Sequence, residues 1–427
     1  MSRNSEVPVT LEEWLSYLEK QHPSAMELGL DRVLVVFRRL LPMHWRPRVI
    51  TVAGTNGKGS TVRWLERMLS FHGCSTGAYL SPHIERFNER ILIGGHEVSD
   101  ASLVEAFAAV DQARGLTSLT YFEFATLAAL WLFHRESVQD LVLEVGLGGR
   151  LDAVNIMDPS LAVITSIGLD HTEWLGNDRN SIGFEKAGIL RPGIEAIYGE
   201  PDPPQSVLQQ AAAQDVRLWR WGEDFAREEG GPLALQDRDG RFFSLPWPQA
   251  DAPSSSLVVA LQALCLLGLR PDEALLAHLG QCPALPGRFE TLLDDPTLIA
   301  DVGHNPHAAA WLAKELSRRF PGRPVRAVYA ALMDKDAPGV VEALNESVSH
   351  WYLAGLQGPR GRSGEQLAEA LSVPLEAHRF QVAETVPQAL DEAMGDAAPD
   401  DLLLVFGSFL TVAAARDWLS RRRLSQP

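Results

Sequence analysis

The chain has 427 residues, enough for two or three domains, and its 46% hydrophobic and 22% charged residues are ordinary for a globular protein. This composition excludes a disordered tail protein, a collagen-like fibre and a disulfide-scaffold peptide, and the three widely spaced cysteines (Cys74, Cys265 and Cys282) indicate neither disulfides nor a zinc site. The formal net charge of −17 has the wrong sign for a protein that coats a nucleic-acid backbone, so any bound phosphate must be held locally.

The start of the chain predicts an amphipathic helix and no targeting segment. Thr10 and Glu13 have the spacing of a capping box, and apolar residues recur on one helical face from Leu11 to Leu18. The first ten residues lack an apolar signal-peptide core, and the longest apolar stretches, such as Phe124–Phe133, are too short to span a bilayer. We therefore expect a protein of the reducing cytoplasm that is neither exported nor anchored.

The next part of the chain predicts a parallel sheet covered by helices. Val49–Ala53 indicates a buried strand, followed by a glycine-rich turn and a helix that ends near Gly73. Further apolar strands are predicted, separated by helices such as Ala125–His134; they lie near Gly77–Leu80, Leu141–Val145 and Leu161–Ile167. Continuous apolar strands that alternate with helices are typical of a parallel sheet with both faces buried.

The composition changes after this first set of elements. Prolines and glycines from Glu200 to Pro253 predict loops and short strands, an apolar helix follows over Ser256–Leu267, and Pro283–Arg288 resembles a connector. Beyond it, four strands and two helices are predicted, at Leu298–Val302, Val325–Tyr329, His350–Ala354, Leu402–Phe406, His307–Arg319 and Phe409–Arg421. The predicted fold class is α/β: a mostly parallel sheet domain with a phosphate-binding loop (residues 1–288), then a smaller Rossmann-like α/β domain (residues 289–427).

The strongest chemical signal lies between the first strand and its helix. There the glycines allow backbone N–H groups to surround a polyphosphate, the helix N-terminus is electropositive, and a lysine adds a cation; the residues are Gly54, Thr55, Asn56, Gly57, Lys58, Gly59, Ser60 and Thr61. The sequence departs from the usual phosphate-loop motif, because Val52 occupies the position of the first glycine and Gly59 follows the lysine. The pattern indicates a nucleoside-triphosphate site, and the alternative is a surface turn with a solvated lysine.

A second signal is a carboxylate that ends an apolar strand, Glu144. At the carboxyl end of a parallel strand beside a phosphate loop, it is well placed to bind Mg²⁺, although it could also face water. The glycines that follow, Gly146–Gly149, lack the spacing of a dinucleotide fingerprint. His171 and Lys186 also lie beyond strands, and alone neither would indicate a function.

Together these segments resemble the folylpolyglutamate synthase and dihydrofolate synthase branch of the Mur ligases. The resemblance covers nearly the whole chain and rests on eight ordered motifs, which are Gly54–Thr61, Ser81–His83, Thr120–Glu123, Glu144–Asn155, Gly168–Thr172, Glu185–Gly188, Leu285–Phe289 and Asp301–Pro306. It implies a ligase in which ATP phosphorylates a carboxylate and the amine of L-glutamate attacks the acyl phosphate. The acyl substrates would be dihydropteroate and reduced folates.

The resemblance also implies roles for individual residues. Ser81 and Glu144 resemble ligands of one Mg²⁺, and Glu144 and His171 resemble ligands of a second. Lys186 matches a lysine that is carbamylated in the family, where the modification replaces a repelling ammonium by a carboxylate-like group near the metal. The resemblance thus implies a catalytic set of Lys58, Glu144, His171 and Lys186 and a metal set of Ser81, Glu144, His171 and Lys186.

Substrate contacts follow from the same resemblance. The pterin pocket would be formed by Thr120, Tyr121, Phe122, Glu123, Leu151, Asp152 and Ala153, where aromatic rings can stack and a carboxylate can accept from ring N–H groups. In the second domain Arg288, Asp301 and His304 resemble ATP contacts. Ser256 stands where the family usually has an asparagine that contacts ATP, so that contact would be altered or bridged by water.

Other functions remain open at this point. One is a relative that adds glutamate to folates only, and another is a non-catalytic nucleotide-binding protein of the same fold. The non-catalytic alternative is disfavoured by the presence of Lys58, Glu144, His171 and Lys186. A small-molecule kinase would fit the phosphate loop but would not need the later motifs. We expect a monomer that binds small molecules, with neither nucleic acid nor membrane as a partner, and leave open a monovalent-cation requirement.

Overall fold

The computed structural model describes residues 8–20, 27–228, 230–248, 254–371 and 379–425. The chain forms two compact units. The N-terminal unit contains the described residues of 1–167, 178–249 and 254–281, and the C-terminal unit contains those of 168–177 and 282–427. Residues 1–7, part of the stretch that argued against a signal peptide, lie outside the described residues, as does Pro253 of the proline-rich region.

The N-terminal unit begins with a helical layer and the centre of its sheet. Its elements are α1 (Leu11–Glu19), α2 (Asp31–Leu40), β1 (Arg48–Ala53), α3 (Lys58–Phe71), β2 (Thr76–Tyr79), β3 (Ile91–Ile93), β4 (His96–Glu97), α4 (Asp100–Arg114), α5 (Tyr121–Arg135), β5 (Asp140–Glu144) and β6 (Leu161–Ile164), with 3-10 turns at Phe87–Arg90 and Ala153–Ile156. The predicted capping box of α1 is confirmed, because Thr10 accepts from the backbone of Glu13.

The unit is completed after a short helix, α6 (Thr172–Leu175), that belongs to the C-terminal unit. The remaining elements are α7 (Arg179–Ala187), β7 (Glu195–Tyr198), α8 (Gln205–Ala213), β8 (Arg217–Arg220), β9 (Ala226–Arg227), β10 (Leu233–Gln236), β11 (Phe242–Leu245), α9 (Ser254–Leu266) and α10 (Glu273–Gln281). Three of these strands form a small sheet in the order β11-β10-β9.

The main sheet has eight strands in the order β4-β3-β2-β5-β1-β6-β7-β8. The strands from β2 to β8 in this order are parallel, and β3 and β4 extend the edge in antiparallel fashion. Helices α1, α2, α4 and α5 share one hydrophobic core that includes the fully buried Trp14 and Phe107, and α3 packs against α9. The predicted parallel sheet is confirmed, and it places the carboxyl ends of β1, β5 and β6 side by side.

The C-terminal unit is a second, smaller α/β layer structure. After the predicted connector it contains β12 (Glu290–Asp294), β13 (Thr297–Asp301), α11 (Pro306–Arg319), β14 (Val325–Tyr329), α12 (Ala337–Leu344), β15 (Val348–Ala354), α13 (Gly364–Ala370), β16 (Phe380–Ala383), α14 (Val386–Asp396), β17 (Leu402–Phe406) and α15 (Phe409–Ser425). Its sheet order is β12-β13-β17-β14-β15-β16, parallel except for the β12–β13 hairpin. The predicted domain boundary at 288/289 stays a prediction.

Between Glu200 and Pro253 the predicted short strands are confirmed as β8 to β11, but the structure corrects the prediction at one place. Residues Gln205–Ala213 form helix α8, in which Val207 and Ala211 are buried one turn apart. The prolines nearest to this helix precede it, with Pro204 at its N-cap, where no intrahelical N–H bond is lost. Among the described residues, no helix combines the length and hydropathy that a membrane span requires.

Candidate active site

The glycine-rich turn links β1 to the N-terminus of α3, as predicted. Gly54 and Gly57 have φ values of +152° and +81°, which favour glycine. A Cβ at Gly54 would overlap the Thr165 hydroxyl oxygen, so the close approach of β6 also requires glycine there. Because α3 has 14 residues, its unpaired N–H groups and its dipole give this turn an anion-binding end.

Two residues that sequence reasoning did not assign to the site brace this turn. The Thr165 hydroxyl donates to the Asn56 carbonyl (2.6 Å), and the Ser166 hydroxyl accepts from the Asn56 amide (2.9 Å). The Ser166 carbonyl also accepts from the Thr55 amide at 2.9 Å. In the sequence, the pattern that could have identified Thr165 and Ser166 is a pair of hydroxyl residues directly after a predicted strand.

Both predicted catalytic lysines reach the turn. Lys58 Nζ donates to the carbonyls of Gly54 (3.0 Å) and Thr55 (3.2 Å), and Lys186 Nζ, near the end of α7, donates to Gly54 at 2.9 Å. Lys186 is only 4% exposed. The structure therefore brings together two cations that are separated by more than 120 residues in the sequence.

The Glu144 carboxylate lies at the same place. Its Oε2 accepts from the backbone amide of Ser81 at 2.9 Å, and a Cβ built on Gly59, in the first turn of α3, would lie 3.3 Å from it. Among the described residues, no group of three or more His, Cys, Asp and Glu side chains is placed to hold a metal. The donor set fits Mg²⁺ with few protein ligands, since that ion accepts one or two carboxylates together with phosphate and water oxygens.

His171 belongs to the other unit. It lies in segment 168–177 with φ +51°, at the N-cap of α6, and its amide donates to Asp170 Oδ1 at 2.8 Å. The structure thus places Glu144 in the N-terminal unit and His171 in the C-terminal unit. The same holds for the ATP contacts predicted at Arg288, Asp301 and His304, which are all in the C-terminal unit.

Asp170 is the centre of a buried polar cluster that the sequence did not reveal. Its carboxylate accepts from Lys335 Nζ (2.7 Å) and Asn305 Nδ2 (3.1 Å), and His304 Nε2 lies 3.3 Å away. Burial opposes ionisation, but His304 and Lys335 outweigh it and hold the pKa of Asp170 well below its usual range. His304 therefore has a partner within its own unit.

The other predicted ATP contacts of this unit are also fixed by neighbours. Asp301 accepts from the amides of Phe289 (2.8 Å) and Gly303 (2.6 Å), and burial raises its pKa against the opposing charge of Arg288. Arg288 lies over the ring of Phe409 at 5.0 Å. In the N-terminal unit, Ser256 lies behind the phosphate turn, with its hydroxyl 3.4 Å from the Gly57 carbonyl.

Two of the predicted pterin-pocket residues, Phe122 and Asp152, meet at Gly146. A Cβ on Gly146 would lie 2.7 Å from the Phe122 ring and 3.2 Å from Asp152 Oδ2. Asp152 accepts from the amides of Gly146, Leu147 and Val154, and burial raises its pKa to about 6 despite these bonds. Glu123 is held differently, because one oxygen accepts from Arg32 (2.9 Å) and the other from the Thr120 amide (2.8 Å).

The remaining predicted pocket residues are positioned by helix α5 and by the loop after β5. Thr120 caps α5, Tyr121 begins it, Ala153 starts a 3-10 turn, and the Leu151 carbonyl accepts from the Gly29 amide at 3.3 Å. The loop after β5 also packs on the end of α7, since Asn155 Nδ2 donates to the Gly188 carbonyl at 3.0 Å. Sequence analysis assigned neither Arg32 nor Gly29 to this neighbourhood, whereas Asn155 ends the motif Glu144–Asn155.

Comparison with known proteins places the whole chain among the Mur ligases. The Mur ligase middle domain family matches residues 52–250, and the Mur ligase glutamate ligase domain family matches residues 287–409. The chain is 43% identical over 424 residues to the dihydrofolate synthase/folylpolyglutamate synthase of Escherichia coli K12, covering 99% of both proteins. It is 42% identical to the Haemophilus influenzae protein of that name, over 94% of this chain and 96% of that protein.

Solved structures agree with this. The fold superposes with a TM-score of 0.91 on Escherichia coli FolC in complex with DHPP and ADP, at 42% identity, over 98% of this chain and 100% of that one. It superposes with a TM-score of 0.88 on a bifunctional folylpolyglutamate synthase/dihydrofolate synthase with Mn, AMPPNP and L-glutamate bound, at 43% identity and the same coverage.

Proposed function

The chain belongs to the dihydrofolate synthase/folylpolyglutamate synthase family of the Mur ligases, and we propose that the residues around its glycine-rich turn carry out that family's reaction. It is an ATP-dependent ligase that adds L-glutamate to dihydropteroate, giving dihydrofolate, and to reduced folates, giving polyglutamates. The observation that carries the residue assignment is the convergence of Lys58, Lys186 and Glu144 at the N-terminus of α3.

The first step is phosphoryl transfer from ATP to the substrate carboxylate. A carboxylate oxygen attacks the γ-phosphorus, the bond to the β-γ bridging oxygen breaks, and ADP leaves. Two anions must approach each other, so the protein contributes positioning and positive charge rather than covalent chemistry. The turn amides, the α3 N-terminus and Lys58 supply these, and Thr165 and Ser166 hold the turn in shape.

The second step is attack by the amine of L-glutamate on the acyl phosphate. The carbonyl carbon gains the C–N bond and loses phosphate, which carries away one oxygen of the original carboxylate, while the amine releases its proton. Phosphate is a far better leaving group than hydroxide, which is why activation precedes amide formation. A dry, preorganised site protects the acyl phosphate from water.

We propose that Mg²⁺ binds at Glu144 and Ser81, with Lys186 as a carbamate beside it. Mg²⁺ bound there neutralises the charge on the transferred phosphoryl group. Glu144 supplies a hard oxygen next to the first turn of α3, and the Ser81 amide fixes the orientation of that carboxylate. We further propose a second Mg²⁺ that involves His171, a monovalent cation, and a monomeric, cytoplasmic enzyme. The proposed ATP contacts are Arg288, Asp301, His304 and Ser256.

An isotope experiment tests the reaction. Dihydropteroate labelled with ¹⁸O in its carboxylate, incubated with ATP, L-glutamate and Mg²⁺, should deliver one ¹⁸O atom to inorganic phosphate for each dihydrofolate formed. Phosphate without label would contradict the acyl-phosphate route. ADP formation with tetrahydrofolate but none with dihydropteroate would leave an enzyme specific for folates.

A matched pair of variants tests the metal assignment. Glu144→Ala should fold, as judged by circular dichroism and thermal unfolding, yet lose nearly all turnover. Glu97→Ala, which removes an exposed glutamate from β4, should remain active. Normal activity of Glu144→Ala would remove the metal assignment.

A further inference from the structure

Arg90 is a buried cation without a carboxylate partner. It is 8% exposed, and among the residues that the structure describes, no carboxylate lies within salt-bridge distance of its guanidinium. Two other buried cations are paired with carboxylates: Arg114, equally buried, lies 2.6 Å from Asp111, and Lys335 lies 2.7 Å from Asp170. Burying a charge is costly unless an opposite charge compensates it, so Arg90 stands apart from these residues.

The contacts that Arg90 does make are all uncharged. Its Nε donates to Nδ1 of His83 at 2.8 Å, and because a guanidinium has only donors, that ring nitrogen carries a lone pair. The guanidinium carbon lies 5.3 Å from the ring centroid of Phe87 and 5.5 Å from that of Tyr121. Aromatic faces and a neutral imidazole compensate a cation only in part, so the site favours an additional anion.

The two terminal nitrogens of Arg90 are available for such an anion. Neither nitrogen has a hydrogen-bond partner among the described residues, and neither is fully buried. They are therefore the nitrogens that solvent reaches. Two parallel N–H groups of a guanidinium match the two oxygens of a carboxylate in geometry and charge.

The position of Arg90 connects this cation to the proposed acyl-substrate pocket. Its carbonyl accepts from the Leu80 amide at 2.8 Å, so its backbone runs beside the segment that leads to Ser81. Its guanidinium faces Tyr121, the first residue of α5, and Phe122 follows in the chain. The N-terminus of α5 adds positive potential to the same place.

We propose that Arg90 binds the α-carboxylate of the glutamyl group in folate substrates and so determines how well folates are used. The proposal rests on the proposed function. Dihydropteroate has one carboxylate, and that one reacts; a folate has a second carboxylate on its glutamyl group, which does not react and must be accommodated. Arg90 compensates this second charge, is needed for folates and is dispensable for dihydropteroate.

Substrate analogues test the proposal on the unmutated enzyme. Tetrahydrofolate and its neutral α-carboxamide differ only in the proposed contact, so kcat/KM for the carboxamide should be lower by roughly tenfold or more, as expected for a lost charge-assisted hydrogen bond. Equal kcat/KM values would overturn the proposal. Dihydropteroate turnover, measured in parallel, reports on the proposed function independently.

Variants then assign the contact to Arg90. Arg90→Gln should lower kcat/KM for tetrahydrofolate by roughly tenfold, mainly through a higher KM. Its kcat/KM for dihydropteroate should stay within about twofold of the unmutated value. The variant should also use tetrahydrofolate and the carboxamide equally well. Arg90→Lys should be intermediate, because it keeps the charge without the fork. The control Arg86→Gln removes a cation from the same segment whose side chain is 62% exposed, and should behave as the unmutated enzyme.

Two results would refute the role of Arg90. Equal losses with both acyl substrates would make Arg90 a structural residue. A higher KM for L-glutamate with an unchanged KM for tetrahydrofolate would mean that it binds the free amino acid instead. If Arg90→Gln does not fold, Arg90→Lys and the carboxamide comparison still decide between these outcomes.

Discussion

Lys186 is the residue for which we propose a change of charge, from an ammonium to a carbamate. It is almost fully buried and donates from Nζ to Gly54 beside the proposed phosphate site. Carbamylation keeps one N–H on that nitrogen, so the bond to Gly54 can persist while the group changes from cation to anion. Buried lysines lose their proton more readily than exposed ones, which favours reaction with CO₂.

We predict that Lys186→Ala abolishes turnover, whereas Lys314→Ala, at an exposed lysine of α11, does not. In the unmutated enzyme, ¹³C NMR with labelled bicarbonate should show a carbamate signal that is absent from Lys186→Ala. An active, metal-loaded enzyme in which this lysine is unmodified would refute the carbamate.

Asp152 gives a prediction about pH. Burial raises its folded-state pKa to about 6, above the unfolded value of about 3.9. A raised pKa means that the folded state binds the proton more tightly, so this contribution to stability is full below about pH 4 and lost as the pH rises through about 6. The shift corresponds to about 3 kcal/mol.

We therefore predict that the difference in unfolding free energy between the unmutated protein and Asp152→Asn falls by up to about 3 kcal/mol between pH 4 and pH 7. Urea unfolding at several pH values, followed by tryptophan fluorescence, measures it. A difference that stays constant or grows with pH would contradict the assignment of the shift to Asp152.

At the scale of elements, helix α5 begins with the aromatic residues that the family resemblance places at the pterin. Its capping box fixes the first turn, and the Phe122 ring lies against Gly146, where any larger residue would collide with it. The ring also lies 5.9 Å from that of Tyr79. The first turn of α5 is thus held by capping on one side and by packing on the other.

We predict that Phe122→Ala lowers kcat/KM for dihydropteroate much more than for tetrahydrofolate, by about 1–3 kcal/mol in activation free energy for one lost aromatic contact. Dihydropteroate is the shorter substrate, so it must bring its pterin closer to the reacting centre. Phe71→Ala, at a partly exposed phenylalanine of α3, is the control. Equal losses with both substrates would deny this helix a role in specificity.

The sequence predicted those elements and site residues that depend on local patterns. The strand–turn–helix around Gly54–Thr61 was predictable because glycines, lysine and apolar periodicity coincide there. Helix α8 was not, since the prolines before it suggested a break that falls outside the helix. Thr165 and Lys335 acquire their roles only through contacts between residues distant in sequence, and no local pattern marks such contacts.

At the scale of the whole molecule, the two units are interleaved along the chain. Segment 168–177 belongs to the C-terminal unit, although the residues on both sides of it belong to the N-terminal unit. Asp170 holds this segment through Lys335, Asn305 and His304 of the same unit. One carboxylate, on a side chain that is 10% exposed, therefore anchors a segment that is otherwise remote in sequence from its unit.

We predict that Asp170→Asn destabilises the C-terminal unit by about 3 kcal/mol or more, because it leaves Lys335 buried and uncompensated. Hydrogen exchange measured by mass spectrometry should become faster in segment 168–177 and stay unchanged in β1. The double variant Asp170→Asn/Lys335→Met should recover part of the loss, since no unpaired cation remains. A double variant as unstable as the sum of both single variants would argue against the pair.

The interleaving also sets an order of events on the ribosome. Asp170 is synthesised 165 residues before Lys335, so at about 5–20 residues per second it waits about 8–33 seconds for its partner. During that time the last two strands of the N-terminal sheet, β7 and β8, are synthesised, whereas the C-terminal partners of Asp170 do not yet exist and its carboxylate is hydrated. The charge of Asp170 keeps this segment hydrated until the last third of the protein emerges.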